Sequence, residues 1–217
     1  MTSRPEPAAE LTAFVGKRRG LCVRFHWIED RYQHVIEGIT RDGVTPLLES
    51  IEGNGQDDWP PSPAFQHLQV ASVVGDHTIM LTGAAGTSYW SMSISVEQLP
   101  VDHDEAQSER ATTTPGTYLL FDVACRSNSP PARLGSNYQV LDDTPSDQLR
   151  SMVFASGCFI VPPKLLDPAR FSETQSCLVN AARMDGKKHV QISPSRELHL
   201  EPPATVRWCY GMFWGMI

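Results

Sequence analysis

The chain has 217 residues, 41% of them hydrophobic and 20% charged, which is the composition of a globular protein. A domain usually spans about 100–200 residues, so this length predicts one large domain. Lysine and arginine number 18 against 25 aspartates and glutamates, a formal charge of −7. Such an acidic balance argues against a nucleic-acid partner, which would select a basic surface.

The N-terminal sequence and the cysteines indicate a cytoplasmic protein. Residues 1–10 hold two prolines and two glutamates and lack the apolar core of a signal peptide, so we expect a disordered tail before a single domain over residues 11–217. No run of about 18 apolar residues occurs, and no membrane association is predicted. The five cysteines are scattered without close pairs, as is typical of reduced thiols.

Alternation of apolar and polar residues predicts strands through the first two thirds of the chain. A hairpin is expected over 21–40, then a strand pair over 65–74 and 77–82, with a turn at Gly83–Gly86. The clearest strand covers 88–97, where apolar residues alternate with serines. The acidic stretch near 100–115 has no periodicity, and we predict a mobile loop there.

The last third is predicted to hold both helix and strand. The sequence from Ser172 to Gln175 fits a capping box, apolar residues recur at helical spacing from Cys177, and Gly186 would end this helix. A second helix is expected near 146–155, and strands over 189–194, 196–202 and 205–217. We therefore predict a mainly β fold, an antiparallel sandwich or barrel of about nine or ten strands with one or two helices.

The C-terminal segment 206–217 is strongly apolar and carries no charge after Arg207. It is too short to cross a bilayer as a helix, and such a segment would aggregate if it were exposed. We expect it to form a central or barrel-closing strand with Val206, Trp208 and Tyr210 on one face. The alternative is a surface through which the chain forms a homo-oligomer.

Two histidines are the candidate metal ligands. If the hairpin turn comprises residues 29–31, His26 lies opposite His34, at the Cβ separation of about 4.5–5.5 Å that would let both imidazoles bind one metal. A shift of one residue in the pairing puts Trp27 opposite His34 instead and separates the histidines. In the alternative interpretation both are ordinary histidines on a sheet face.

The candidate ligand site combines an acidic loop with aromatic side chains. Asp57, Asp58 and Trp59 stand before a proline cluster that would hold them extended, as in a rim that grips a ligand. Trp27 and Tyr89 are the predicted aromatic lining. Alternatively, Trp59 folds back over the core as a cover.

Three further side chains are candidates for a chemical role. Asp122 stands alone in the apolar run 117–125, where an unpaired carboxylate would cost several kcal/mol, unless the strand turns it towards water. Cys125 and Cys158 are interpreted as small buried hydrophobic residues, because no adjacent histidine would activate either thiol.

No nucleotide-binding, hydrolase or zinc-binding motif occurs in the chain. We therefore predict a cytoplasmic protein that binds a small molecule or a protein partner, with no catalytic residues and no cofactor. One alternative is a metal-dependent enzyme built on His26 and His34. The other is a structural or assembly subunit.

Overall fold

The computed structural model describes residues 6–15, 18–73, 76–98, 116–141, 153–155, 158–162, 171, 176–195 and 201–214. These residues form fourteen strands and no helix, so the mainly β class is confirmed, whereas the expected strand number was too low. The strands are β1 (Ala9–Phe14), β2 (Gly20–Ile28), β3 (Arg31–Thr40), β4 (Gly43–Ser50), β5 (His67–Val73), β6 (Asp76–Ala85), β7 (Ser88–Gln98), β8 (Thr117–Ser127), β9 (Ser136–Val140), β10 (Val153–Ala155), β11 (Cys158–Val161), β12 (Cys177–Met184), β13 (Lys187–Pro194) and β14 (Ala204–Trp214).

The strands form two seven-stranded sheets in which every pairing is antiparallel. The first sheet has the order β1-β2-β3-β4-β9-β13-β12, and the second has the order β10-β11-β14-β8-β7-β6-β5. Both orders have two ends, so neither sheet closes into a barrel in the described part of the chain. Apolar side chains of both sheets meet in one core, which makes the fold sandwich-like.

The strands in the middle of the second sheet follow the predicted patterns. In β7, Trp90, Met92 and Ile94 are buried, whereas Tyr89 and Ser91 are exposed. The segment predicted to be covered on both faces is β8, whose residues 118–121 are all buried. A second small apolar cluster covers its outer face, formed by Tyr118, Leu120, Phe171, Cys209 and the half-buried Phe213.

The C-terminal segment forms β14, an interior strand that pairs with β8 on one side and β11 on the other. Val206, Trp208, Tyr210 and Met212 are buried in the main core, whereas Cys209 belongs to the outer cluster. The prediction of a central strand packed on both faces is therefore confirmed. The prediction that this strand closes a barrel is wrong.

The predicted helix after residue 176 is a hairpin. β12 and β13 pair along their whole length and turn at Asp185-Gly186, with φ angles of 51° and 76°. Two positive φ angles characterise the tight turn that Asp-Gly favours, and its right-handed twist matches the flanking strands. This local preference outweighs the helical spacing of the apolar residues. The capping-box residues 172–175 lie outside the described residues.

Three other expectations differ from the structure or lie outside its described part. The turn expected at Gly83–Gly86 is at Gly86-Thr87, because Gly83 still pairs with Trp90 in the sheet. The second helix, near 146–155, ends in β10 instead, and its first residues are outside the described ranges. Regular structure begins at Ala9 rather than after residue 10, and the acidic loop near 100–115 is not described.

Candidate functional site

The β2–β3 hairpin turns through two residues, not the three that the metal site requires. Ile28 pairs with Arg31, so Phe25 lies opposite His34, and His26 lies opposite Gln33. Because successive side chains alternate between faces, His26 and His34 are on opposite faces of the sheet. The predicted histidine pair is therefore wrong. Among the described residues, no group of three or more His, Cys, Asp or Glu side chains could hold a metal.

The cause of the shorter turn is a left-handed residue at Glu29, whose φ is 56°. Arg31 then folds back on the turn, where its Nε donates to Asp30 Oδ1 at 2.8 Å and its Nη2 donates to Asp30 Oδ2 at 3.1 Å. A fork-shaped contact of this kind fixes the guanidinium geometrically. It stabilises the two-residue register although glutamate is an uncommon residue at positive φ.

The segment 51–66 between β4 and β5 covers one end of the two sheets, and we name it the cap segment. It binds the first sheet where Ser62 Oγ donates to the carbonyl of Asn137 at 3.0 Å. It meets the second sheet where Ser88 Oγ donates to the carbonyl of Asp58 at 3.5 Å. Backbone contacts such as that from Tyr32 N to Phe65 O, at 2.8 Å, complete the attachment.

Of the two acidic residues predicted to grip a ligand, Asp57 is hydrogen-bonded within the cap segment, whereas Asp58 is exposed beside the β6–β7 turn. Asp57 Oδ2 accepts the backbone N–H of Asn54 at 3.0 Å, which closes a short turn. The carboxylate of Asp58 lies so close to Gly86 that a Cβ at Gly86 would overlap Asp58 Oδ1. Trp59 is half-buried and packs against the main core, which matches the alternative interpretation of a cover.

The predicted aromatic residues lie at this same end of the molecule. Trp27 stands just before the β2–β3 turn and is 47% exposed, with its ring edge-to-face to Tyr32 at 5.0 Å. Tyr89 follows the β6–β7 turn and is 59% exposed. Tyr89 alternates with the buried Trp90 and points to the outer face of the second sheet, whereas Trp27 is on the inner face of the first sheet, so the two aromatic residues do not line one site.

A chain of hydrogen bonds joins the two sheets inside the core. His34 Nε2 lies 2.9 Å from Tyr138 Oη, which lies 2.8 Å from Tyr210 Oη. The His34 ring packs between Phe25 and Phe121, with centroid distances of 5.2 and 6.2 Å. Burial lowers the pKa of His34 to about 3 and raises the pKa of both tyrosines, so all three groups are neutral near pH 7.

A carboxylic acid extends this network towards the cap segment. The His34 backbone N–H donates to Ser50 Oγ at 2.9 Å, and Ser50 Oγ donates to Glu52 Oε1 at 2.6 Å. Burial raises the pKa of Glu52 to about 7, an effect that the Ser50 hydrogen bond and the charge of Arg31 oppose. The second carboxyl oxygen, Oε2, is enclosed without a hydrogen-bond partner. Glu52 therefore titrates near neutral pH.

Asp122 and the cysteines are accounted for without a chemical role. Arg207 on the neighbouring strand binds both carboxylate oxygens of Asp122, with Nε to Oδ1 at 2.6 Å, and the pair lies on the partly exposed outer face. All five cysteines are free and buried. Burial raises the pKa of Cys125 and of Cys158 to about 12, so these thiols stay protonated. Their interpretation as buried hydrophobic residues is confirmed.

A groove of about 880 Å³ opens at the other end of β6 and β7, away from the cap segment. Its apolar lining consists of Leu11, Val70, Ile79 and Val96. Val70 pairs with the fully buried Ile79 and so faces the inside of the sandwich, yet it is 50% exposed. The polar lining residues are Glu10, Thr12, His77, Thr78, Ser95, Glu97, Gln98 and Thr117.

None of the groove residues was singled out from the sequence. They belong to β1, β5, β6, β7 and β8, so no single segment carries a motif for the groove. The one local feature that indicates the groove is Val70, which the alternation within β5 places on the inward face of the sheet.

Within the described residues, no helix has the length and hydrophobicity needed to cross a bilayer. No family model, no curated protein and no solved structure matches this chain.

Proposed function

We propose that this chain is a binding protein without catalytic activity, and that its ligand occupies the groove beside β1. The observation that supports this proposal is the exposure of Val70, an inward-facing side chain that a closed sandwich would bury. Burial of half-exposed apolar surface by a ligand is favourable by roughly 25 cal/mol per Å². A groove of about 880 Å³ also has the size of ordinary ligand sites.

The rim of the groove favours a ligand that is neutral or cationic. Its carboxylates are Glu10, which binds Arg24 at 2.9 Å, and Glu97, which accepts a hydrogen bond from Ser95 Oγ at 2.9 Å. An anionic ligand would meet like charge at this rim, and like charges across an interface are unfavourable.

The absence of catalysis is proposed because the titratable groups with unusual environments lie away from the groove. His34, Tyr138 and Tyr210 are sealed in the core by aromatic rings, and Glu52 belongs to the same buried network. A general acid or base must come within hydrogen-bond distance of its substrate. The cytoplasmic location, and the alternative of an assembly subunit that associates through β14, stay predictions from the sequence.

A bulky residue in the groove should block ligand binding. Val70 lines the groove from the inward face of β5 and is 50% exposed. We expect Val70→Trp to weaken binding of Nile red, a neutral apolar dye, at least about tenfold, equivalent to about 1.4 kcal/mol. Fluorescence titration of the intact protein measures this affinity.

Val44→Trp is the matched control, since Val44 on β4 is as exposed as Val70, at 49%, and does not line the groove. Far-UV circular dichroism checks that both variants fold. Equal dye affinity in the two variants would show that the dye binds elsewhere and would contradict the proposed site.

A further inference from the structure

The strand beside the groove has an unpaired edge. β1 stands at the end of the first sheet, and among the described residues it pairs with β2 alone. Alternate backbone N–H and C=O groups of an edge strand point away from its neighbour and can pair with a further strand. The carbonyl of Phe14 is engaged by Thr117 Oγ1 at 2.7 Å, which leaves the stretch 10–13 in front of the groove.

The packing of the sheets shows what this edge faces. β2 contacts β14 and β3 contacts β5, whereas β1 lies across β8, β7 and β6 of the second sheet. The groove lies beside this crossing, where Leu11 of β1 meets Val96 of β7 and Thr117 of β8, and Val70 of β5 completes the lining. A strand added beyond β1 would continue the first sheet over these side chains.

We infer, on the basis of the proposed function, that the ligand of the groove is an extended peptide that pairs with the edge of β1. Neighbouring strands lie about 4.8 Å apart, so the peptide backbone would run along the open side of β1. Every second side chain would then point between the sheets, onto Val70 and Val96. Backbone pairing supplies affinity in this mode of recognition, and the pockets for alternate side chains supply specificity.

The lining defines the peptide that fits. Alternate positions must be apolar, because the floor consists of Leu11, Val70, Ile79 and Val96. A lysine or arginine complements the carboxylates of Glu10 and Glu97. Four β1 residues in front of the groove correspond to about 13 Å of strand, which is the length of a short peptide segment.

Selection from a displayed library of random ten-residue peptides identifies the preferred sequences. The intact protein is the target, and Val70→Trp serves for counter-selection. We expect enriched peptides to carry apolar residues at every second position and at least one basic residue. Enrichment of apolar residues at helical spacing, or of acidic peptides, would overturn the inference.

Backbone methylation separates strand pairing from binding by side chains alone. Two analogues of the best peptide are made, one N-methylated at every odd position and the other at every even position. In a paired strand only one of these sets of N–H groups faces β1. We expect one analogue to lose at least about tenfold in affinity and the other to bind as the parent does. Equal loss, or no loss, in both analogues would contradict strand pairing.

The two proposals fail differently. Peptide binding that is insensitive to methylation, or Nile red binding that Val70→Trp blocks without any peptide enrichment, overturns the peptide inference and leaves the binding groove in place. A dimer in light scattering that competes with the peptide identifies a second copy as the occupant of the β1 edge, which also overturns it. If Val70→Trp changes neither dye binding nor peptide binding, the proposed groove itself is contradicted.

Discussion

Replacement of Trp208 by alanine is expected to lower the free energy of unfolding by about 3–5 kcal/mol, the usual loss when a large aromatic residue is removed from a core. Trp208 is fully buried on β14, an interior strand of the second sheet. Its ring lies edge-to-face to Trp90, with the centroids 6.3 Å apart. Deletion of the side chain removes this contact and leaves a cavity between the sheets.

The matched control is Trp27→Ala, because Trp27 is the same residue type with 47% of its surface exposed. Loss of its contact with Tyr32 is expected to cost about 1 kcal/mol. Urea unfolding followed by far-UV circular dichroism compares the two variants without relying on tryptophan fluorescence. If the two losses were equal, the buried position of β14 would be contradicted.

A phenylalanine at position 208 refines the test. The indole Nε1 of Trp208 is buried without a hydrogen-bond acceptor, and an unsatisfied buried donor costs about 1–3 kcal/mol. Trp208→Phe removes that donor together with part of the apolar contact. Its loss of stability should therefore be well below that of Trp208→Ala.

β14 could be predicted from the sequence because its evidence is local. Apolar residues fill both alternating sets of positions around Trp208 and Cys209, a pattern that fits only a strand covered on both faces. β7 could be predicted for the same reason, since buried residues such as Trp90 alternate with serines. In both strands the side-chain pattern and the burial have the same period.

The β12–β13 hairpin was predicted as a helix because two local signals in its sequence conflict. Apolar residues from Cys177 onwards recur at helical spacing, yet Asp185-Gly186 is among the strongest short signals for a tight hairpin. Once the turn forms, Val190 and Ile192 are buried on β13, and the pairing with β9 fixes the strand in the first sheet. Tertiary pairing thus decided between two local preferences.

The register of β2 and β3 depends on a single turn residue, which explains the failure of the histidine pair. A glutamate at position 29 does not indicate a positive φ, because this residue type rarely adopts one. The sequence was therefore compatible with a two-residue turn and with a three-residue turn. The one-residue difference moves His34 opposite Phe25. The groove could not be predicted from the sequence for another reason. Its lining residues come from five strands that only the tertiary fold brings together.

The buried network makes a second prediction, which concerns pH. Burial raises the pKa of Glu52 from 4.5 to about 7, so its folded form binds a proton more tightly than the unfolded chain does. The stability from this protonated carboxyl is fully present below about pH 4.5 and is lost as pH rises through 7. At about 1.4 kcal/mol per pKa unit, the raised pKa of Glu52 corresponds to a loss of up to about 3 kcal/mol.

His34 acts in the opposite direction. Burial lowers its pKa from 6.5 to about 3, so the unfolded chain binds this proton more tightly and stability is lost as pH falls from 6.5 through 3. Between pH 4.5 and 6.5 the two contributions have opposite slopes and nearly cancel. The wild-type curve is therefore expected to be flat over that interval, and variants are needed to reveal each group.

Glu52→Gln keeps an acceptor for Ser50 but cannot ionise, so it mimics the protonated acid. Its stability relative to the wild type is expected to rise by up to about 3 kcal/mol between pH 4.5 and 8. His34→Phe, whose ring fits between Phe25 and Phe121, should instead gain relative stability as pH falls below 6.5. Urea unfolding at a series of pH values measures both differences.

The control is Val44→Ala on β4, an exposed residue without a titratable side chain, for which the difference from the wild type should not change with pH over the same range. A flat difference for Glu52→Gln would mean that the folded protein holds this carboxyl as an anion at neutral pH. The guanidinium of Arg31, whose Nη1 is also buried without an acceptor, would then outweigh the burial of the carboxylate. Because a buried ion pair and a buried neutral acid respond oppositely to removal of the charge, Glu52→Gln would in that case destabilise the protein at pH 8.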